Sequence, residues 1–384
     1  MDQLLIDLFS AYFSARKNKR NTIASLEFEL NYEKEILKLY QEIKSGSYKI
    51  SKSIIFIVHS PVQREIVASS FRDRVVHHLI FDYINPIFEP VFIYDSYSCR
   101  KNKGTFFGIK RIKKFIRICS NNYKKESYIL KLDISGYFMS INKEILWNKV
   151  KNTLVKNKDK CGFDFYLILP LIKKIVFHNY TKNYIIRGNK DDWKGLPKSK
   201  SLFLSKNNCG LPIGNLTSQL FSNIYLNEFD HFVKRDLKFK FYGRYVDDFI
   251  IISNSKGKLK KSVYYIKKYL ITELNLEINQ KKIYLQSFKN GVSFLGVIIK
   301  PYRIYIKNRT KNNFYRKIIS VNKKLKKMDI EKSDQLFLIS SINSYLGLLK
   351  HYNTYNLKKK ILIKNLKINN MEFDKSFYKI KFIN

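Results

Sequence analysis

Residues 243–253, GRYVDDFIIIS, restrict the possible folds more than any other stretch of the chain. Aromatic and β-branched residues on both sides favour extended backbone, so the stretch predicts strand, turn, strand. Asp247 and Asp248 then fall at a hairpin tip, beside a run of apolar residues that reads as buried. Adjacent carboxylates repel, and a low dielectric raises the cost of ionising both. A chain that keeps such a pair needs a positive partner for it. A second strand–acid junction lies upstream, where KESYILKLDISGYFMSI (125–141) predicts a strand ending at Asp133 and then a turn. The two junctions are far apart in the chain, so only tertiary structure can bring them together. Their order, with a long helix between them, suggests an α+β palm.

The remaining sequence fills in around these junctions. Residues 1–43 predict helices, with Leu4, Leu5, Leu8 and Phe9 on one face, and the breakers in KSGSY (44–48) end them. SIIFIVHS (53–60) predicts a strand, and FRDRVVHHLIFDYINPIF (71–88) a helix stopping near Pro86. Residues 144–180 read as mainly helical and 181–209 as a polar connection. LTSQLFSNIYLNEFDHFVKR (216–235) predicts one periodic helix, with Leu216, Leu220, Ile224 and Phe229 among its apolar positions. A helix near 258–274 follows, then paired strands in GVSFLGVIIKPYRIYI (291–306), then a basic, mostly helical tail over 311–384. There are no internal repeats. The division that results is a helical extension over 1–50, a central domain over 51–306 and a helical tail over 307–384.

Charge narrows the partners. The chain has 73 Lys and Arg against 31 Asp and Glu, a net +42, which calls for a polyanion or an acidic surface. Codon bias toward Lys, Asn and Ile explains part of the excess. It does not explain the interleaving of aromatic and basic residues, as in KRIKKFIRICSNNYKK (110–125), a mixture suited to nucleic acid. The 45% hydrophobic content is ample for a packed core. Cys99, Cys119, Cys161 and Cys209 form no Cys-x-x-Cys pair, and no His lies at zinc spacing, so neither a zinc site nor a disulfide framework is expected. A reducing compartment is the default. The N-terminus lacks a basic n-region, and no apolar run reaches the ~18–20 residues needed to span a bilayer, so the expectation is a cytoplasmic protein without a membrane partner.

Three carboxylates converging on one point suit magnesium. The ion takes oxygen ligands, keeps several waters and borrows further oxygens from phosphates. Two such ions can activate an attacking hydroxyl and neutralise a leaving pyrophosphate. Tyr-Val-Asp-Asp at 245–248, together with LKLDISGYFMSI upstream, resembles motifs C and A of the reverse transcriptase palm. The resemblance implies a right-hand polymerase fold of fingers, palm and thumb, with two Mg²⁺ ions (Mn²⁺ able to substitute). Its metal-binding residues would be Asp133, Ile134, Asp247 and Asp248.

The same resemblance places Phe138 as a steric gate against the ribose 2′-hydroxyl, the alternative being a core aromatic. Arg64 in VQREI would hold the incoming triphosphate. Arg72 would join it, with Arg74 on phosphates or template backbone, although either of these two could instead form a structural ion pair with Asp73 or Glu65. Val62 stands where related chains often carry Lys, a contact that Lys52 could replace. Lys282, with Lys281 nearly equivalent, matches the motif D lysine proposed to protonate pyrophosphate. Gly214 and Gln219 join the nucleotide site, with Gly210 and Gly214 allowing close backbone approach. Tyr245, Leu295 and Gly296 fall at the primer and template. Tyr315, Arg316, Lys323, Lys324, Lys326 and Lys327 would grip an RNA–DNA hybrid, unless they form a solvated basic face. His77 and His78 are adjacent on a helix and point apart, so they read as packing or RNA contacts rather than metal ligands.

Within the family, Ile213 and GNLTSQ (214–219) resemble the enzymes of diversity-generating retroelements, which copy a template RNA with errors at adenines. REIVASSFRDRVVHHLIFDYINPIFEPVFIYDSYSCRKNKGT (64–105), DWKGLPKSKSLF (192–203) and SYLGLLKHYNTYNL (344–357) carry the same resemblance. It implies RNA-directed DNA synthesis on a cognate non-coding RNA in a bacterial, archaeal or phage setting. The implied partners are template RNA, RNA–DNA hybrid, dNTPs and a small accessory protein. An anti-phage defence enzyme acting with a bound non-coding RNA and a partner reverse transcriptase is the alternative. A catalytically dead nucleic-acid-binding module is the third reading, disfavoured by the presence of all three acids. Group II intron and retron enzymes fit motif B and the thumb less well.

Overall fold

A computed structural model describes residues 2–17, 19–20, 22–59, 62–325, 332–366, 371–374 and 376–382. In chain order the elements begin with helices α1 (Gln3–Arg16), α2 (Ile23–Leu30) and α3 (Tyr32–Lys44). The hairpin β1 (Ser53–Val58) and β2 (Arg64–Ala68) follows, then α4 (Phe71–Phe88), α5 (Thr105–Cys119), β3 (Tyr128–Asp133) and the short α6 (Tyr137–Ser140). Next come α7 (Lys143–Lys156), α8 (Phe165–Phe177), β4 (Tyr184–Ile186), α9 (Leu216–Tyr225), α10 (Asn227–His231), β5 (Phe241–Tyr245), β6 (Asp248–Ser253) and α11 (Lys256–Leu274). The last elements are β7 (Tyr284–Ser287), β8 (Val292–Phe294), β9 (Val297–Ile299), β10 (Ile304–Ile306), α12 (Asn308–Leu325), α13 (Lys332–Leu349), α14 (Tyr355–Asn365), β11 (Met371–Phe373) and β12 (Ile380–Phe382).

The chain forms two compact units, residues 1–104 with 130–285 and residues 105–129 with 286–384. Each unit is built from two separate stretches of the chain. Tyr12, Phe28, Tyr32 and Phe71 make one aromatic cluster that fastens α1–α3 to α4. The amphipathic α5 belongs to the second unit, where it packs on β9.

In the first unit the central sheet has the order β5-β6-β3-β7. Ile, Leu, Phe and Tyr fill its strands, and Leu130, Leu132, Phe249, Ile250 and Ile251 are fully buried. α11 covers this sheet with Leu259, Ile266, Leu270 and Leu274, spaced at helical period on one face. A separate three-stranded sheet, β2-β1-β4, includes a parallel pairing of β1 with β4 in the register Ser53–Tyr184. That strand lies inside the segment expected to be a polar connection. Only three residues carry it, too few to show a period of two.

The helix expected over 216–235 breaks at Leu226, and a π-turn follows α10 at Phe232–Asp236. In the second unit, β8, β9 and β10 form a meander rather than a single pair. α12, α13 and α14 close on Phe314, Ile318, Ile342, Leu346 and Leu362, and β11 pairs with β12.

Candidate active site

β3 and β6 are neighbours in the central sheet, and this juxtaposition sets the strand end at Asp133 beside the hairpin tip that carries Asp247 and Asp248. The backbone N–H of Ile134 donates to the Asp247 carbonyl at 3.3 Å, and the Asn279 N–H donates to the Asp133 carbonyl at 2.8 Å. β5 and β6 pair in the register Tyr245–Asp248, leaving Val246 and Asp247 as a two-residue turn. Val246 has φ +56°, a left-handed backbone at a β-branched residue. Such strain costs roughly 1–3 kcal/mol and persists only where the surroundings enforce it.

The charges are partly answered by lysines. Lys282 Nζ lies 2.9 Å from Asp133 Oδ1, and Lys131 Nζ lies 2.9 Å from Asp248 Oδ2. Burial alone would lower the Lys282 pKa, but its hydrogen bond to Asp133 and the fields of Asp133, Asp247 and Asp248 outweigh that and raise it. Asp247 is pushed up to about 6, first by burial and then by Asp133 and Asp248. The anionic excess at the hairpin tip is therefore only partly neutralised. Among the described residues, no three His, Cys, Asp or Glu side chains converge into a ready coordination sphere. The donor set nevertheless suits a hard divalent cation, because it is all oxygen and net anionic, with ammonium groups already drawn to two of the three acids.

Lys131 was not singled out by sequence, although a signal is visible: in YILKLD, Lys131 and Asp133 are two apart and share a strand face. Arg244 was missed as well. It directly precedes Tyr245 and is fully buried in an ion pair with Asp230.

The nucleotide-side expectations divide. Gly214 has φ +136°, and a Cβ there would stand 2.5 Å from the Val67 carbonyl oxygen, so only glycine allows the approach. The neighbouring Ile213 carbonyl accepts from Val67 N at 2.9 Å, locking the turn at 213–214 onto β2. Phe138 is half-buried against the cluster of Ile55, Val67, Met139, Tyr180 and Leu202. Arg64 is exposed on β2, within electrostatic reach of the half-buried Tyr245. Gln219 is half-buried on α9.

Arg72 departs from expectation. Its guanidinium pairs with Glu42, donates to the Lys49 carbonyl at 3.1 Å and lies 5.1 Å from the Tyr48 ring centre. These contacts anchor α3 to α4, and the pairing partner is neither Asp73 nor Glu65. Asp73 accepts from Tyr48 and Ser51 instead, and the buried Glu65 accepts from Trp193, Ser201 and Leu202. Arg74 is half-buried, and burial lowers its pKa.

His77 is buried and packs as expected. Ser69 donates to Asn215, so its oxygen is left to accept from His77 Nε2, and Nδ1 accepts from Thr217 at 2.9 Å. Leu295, Gly296, Lys323 and Lys324 belong to the second unit, with Lys323 and Lys324 exposed on the face of α12 away from Phe314, Ile318 and Val321. Tyr315 and Arg316 share that exposure. Lys326 and Lys327 lie outside the described residues.

With this geometry in place, comparison with known proteins is decisive for the family. Residues 61–299 match the family described as reverse transcriptase (RNA-dependent DNA polymerase). The chain belongs to the reverse transcriptase family. Similar curated proteins include Protein YkfC of Escherichia coli K12, 22% identical and covering 71% of this chain and 72% of that one. The group II intron-encoded protein LtrA of Lactococcus lactis subsp. cremoris is also 22% identical, covering 79% of this chain. This reverse transcriptase spans 58% of the Lactococcus protein's length. Solved structures resembling it include apo telomerase from Candida tropicalis truncated from its C-terminal domain, with TM-score 0.47 and 14% identity over 70% of this chain and 60% of that one. Among the described residues no helix is long and apolar enough to cross a membrane.

Proposed function

We propose that this reverse transcriptase is an RNA-directed DNA polymerase that copies a cognate non-coding RNA into cDNA by nucleotidyl transfer, in a diversity-generating retroelement. The observation that carries the catalytic reading is the meeting of Asp133 with Asp247 and Asp248 across β3 and β6. Magnesium would be held by the three carboxylates and the Ile134 carbonyl. Divalent ions in such a site lend positive charge to an attacking 3′ hydroxyl and a leaving pyrophosphate.

The chain's own groups supply the rest. Lys282, held charged beside Asp133, would give its proton to the departing pyrophosphate. Arg64 would hold the triphosphate, and Phe138 would crowd a ribose 2′-hydroxyl. In the second unit, Leu295 and Gly296 would support the primer, while Lys323 and Lys324 would contact the hybrid backbone. Ile213 and the GNLTSQ turn, closed onto β2, support the retroelement subtype.

Primer extension on an RNA template tests the chemistry: wild type should extend with Mg²⁺ or Mn²⁺ and Asp247→Asn should not. Equal behaviour of the two rejects it. Sequencing the copurifying RNA and cDNA tests the subtype, since substitutions concentrated at template adenines are expected and an even error spectrum rejects it.

A further inference from the structure

The acid pair sits on a turn that its own two residues would not choose, and the question is what holds it. Arg244 is fully buried, and all five of its donors are taken. Nε and Nη2 grip Asp230 at 2.7 and 2.6 Å, and Nη2 also reaches Ser96 Oγ at 3.3 Å. Nη1 reaches Asn223 Oδ1 at 3.5 Å and, at 2.9 Å, the carbonyl oxygen of Val246. Tyr242 donates to the same Asp230 at 2.6 Å, so the carboxylate cannot swing away without breaking three short bonds. Backbone bonds fix the strand as well, since Arg244 N donates to the Asp95 carbonyl and Tyr97 N to the Arg244 carbonyl, both at 2.9 Å.

The consequence is specific. The turn has two carbonyls, Val246 and Asp247, and each is held by a different element. The Ile134 N–H holds that of Asp247, and the Arg244 guanidinium holds that of Val246. Resting on the polymerase reading, we infer that Arg244, braced by Asp230, is a positioning residue: it clamps the Val246 carbonyl, keeps the left-handed turn in place and so aims Asp247 and Asp248 at the reacting phosphate.

Arg244→Lys keeps a charge for Asp230, but a single ammonium cannot also reach the Val246 carbonyl. Single-turnover dNTP incorporation should fall about 10- to 100-fold, as misplacement of reacting groups by about 1 Å does. The Mg²⁺ concentration for half-maximal rate should rise, while dNTP KM and RNA affinity stay within about threefold, a split that simple loss of folded protein would not produce. Asp230→Asn should move the same readouts less. The losses of Arg244→Lys and Val246→Gly should fail to multiply in the double variant, because both loosen one turn.

Folded Arg244→Lys with an unchanged rate and Mg²⁺ dependence, or losses that multiply independently, overturns the inference. Should Arg244→Lys not fold, Asp230→Asn decides, and failing that Val246→Gly at the half-exposed tip, in each case with an unchanged rate as the overturning result. Wild type and Asp247→Asn run alongside: no extension by wild type condemns the polymerase reading itself, whereas normal wild type beside an unaffected Arg244→Lys condemns only the positioning role.

Discussion

The β5–β6 and β8–β9 hairpins of this reverse transcriptase each turn through a non-glycine residue in the left-handed region, and they do so by different means. At the tip of β8–β9, Leu295 has φ +45° and Gly296 φ +86°, the pattern of a type I′ turn, which suits the right-handed twist of its strands. A glycine shares the strain there, and the Gly296 carbonyl accepts from Lys307 N at 3.3 Å. At the tip of β5–β6, φ is positive at the first central residue only, a place usually left to glycine, and here a valine occupies it. A buried Arg–Asp pair holds that turn, and the two acids beside it repel one another. The first hairpin is relaxed by its own sequence. The second is held against its preference by the structure around it, as functional sites often are.

That contrast can be broken most forcefully at Asp247. Asp247→Asn should abolish primer extension, a loss of at least about 10³-fold. The same change should stabilise the metal-free protein, because it removes a charge raised by burial and by two neighbouring acids. The gain expected is about 1 kcal/mol, discounted for partial exposure and read as a higher Tm in chelator. A lower Tm would mean that the tip is not under electrostatic load.

Acidification should separate this load from the packing around His77 and His178. Burial first, then His78, His178 and Arg74, lowers His77 to about 3 from an ordinary 6.5. Burial first, then Lys143, lowers His178 to about 4. Both bind protons more readily when unfolded, so stability falls as pH drops below 6.5, by about 2 kcal/mol at pH 5 from His77 alone. Asp247 acts oppositely and more weakly: the folded form takes up its proton first, so acidification from about 6 toward 3.8 favours folding through that group. Chemical denaturation at pH 7 and pH 5, in chelator, should show a net loss in wild type and a larger loss in Asp247→Asn.

Smaller effects come from the turns themselves. Val246→Gly should relieve backbone strain and leave stability equal or higher by about 1 kcal/mol, while polymerisation falls roughly tenfold. Leu295→Gly should gain less, about 0.5 kcal/mol, since its turn is already of a favoured type. Denaturant midpoints for the pair give the test, and a larger gain at 295 than at 246 would reverse the ranking of strain.

Much of the site was legible because strand chemistry is local. A strand-forming stretch ending in an acid predicted β3 and Asp133, and YVDD between two runs rich in aromatic and β-branched residues predicted the hairpin. What stayed hidden depends on pairing between distant segments. Arg72 carries nothing in its local sequence to distinguish a nucleotide contact from a bond to Glu42. Arg244 looked like one more basic residue in a chain at +42, and only burial against Asp230 reveals its task. Lys131 was readable from strand alternation alone. The three-residue β4 was not, because its pairing with β1 and the anchoring of the following turns on Glu65 are tertiary events.

That last pairing has a consequence for how the chain is made. The β1–β2 hairpin emerges early, yet its parallel neighbour β4 comes about 130 residues later, and the donors to the Glu65 carboxylate later still. At synthesis speeds of roughly 5–20 residues per second, the growing chain carries an unpaired strand edge and an unanswered acid for some ten seconds. The β2-β1-β4 sheet is begun first and closed only after Asp133 and the rest of β3 have already left the ribosome.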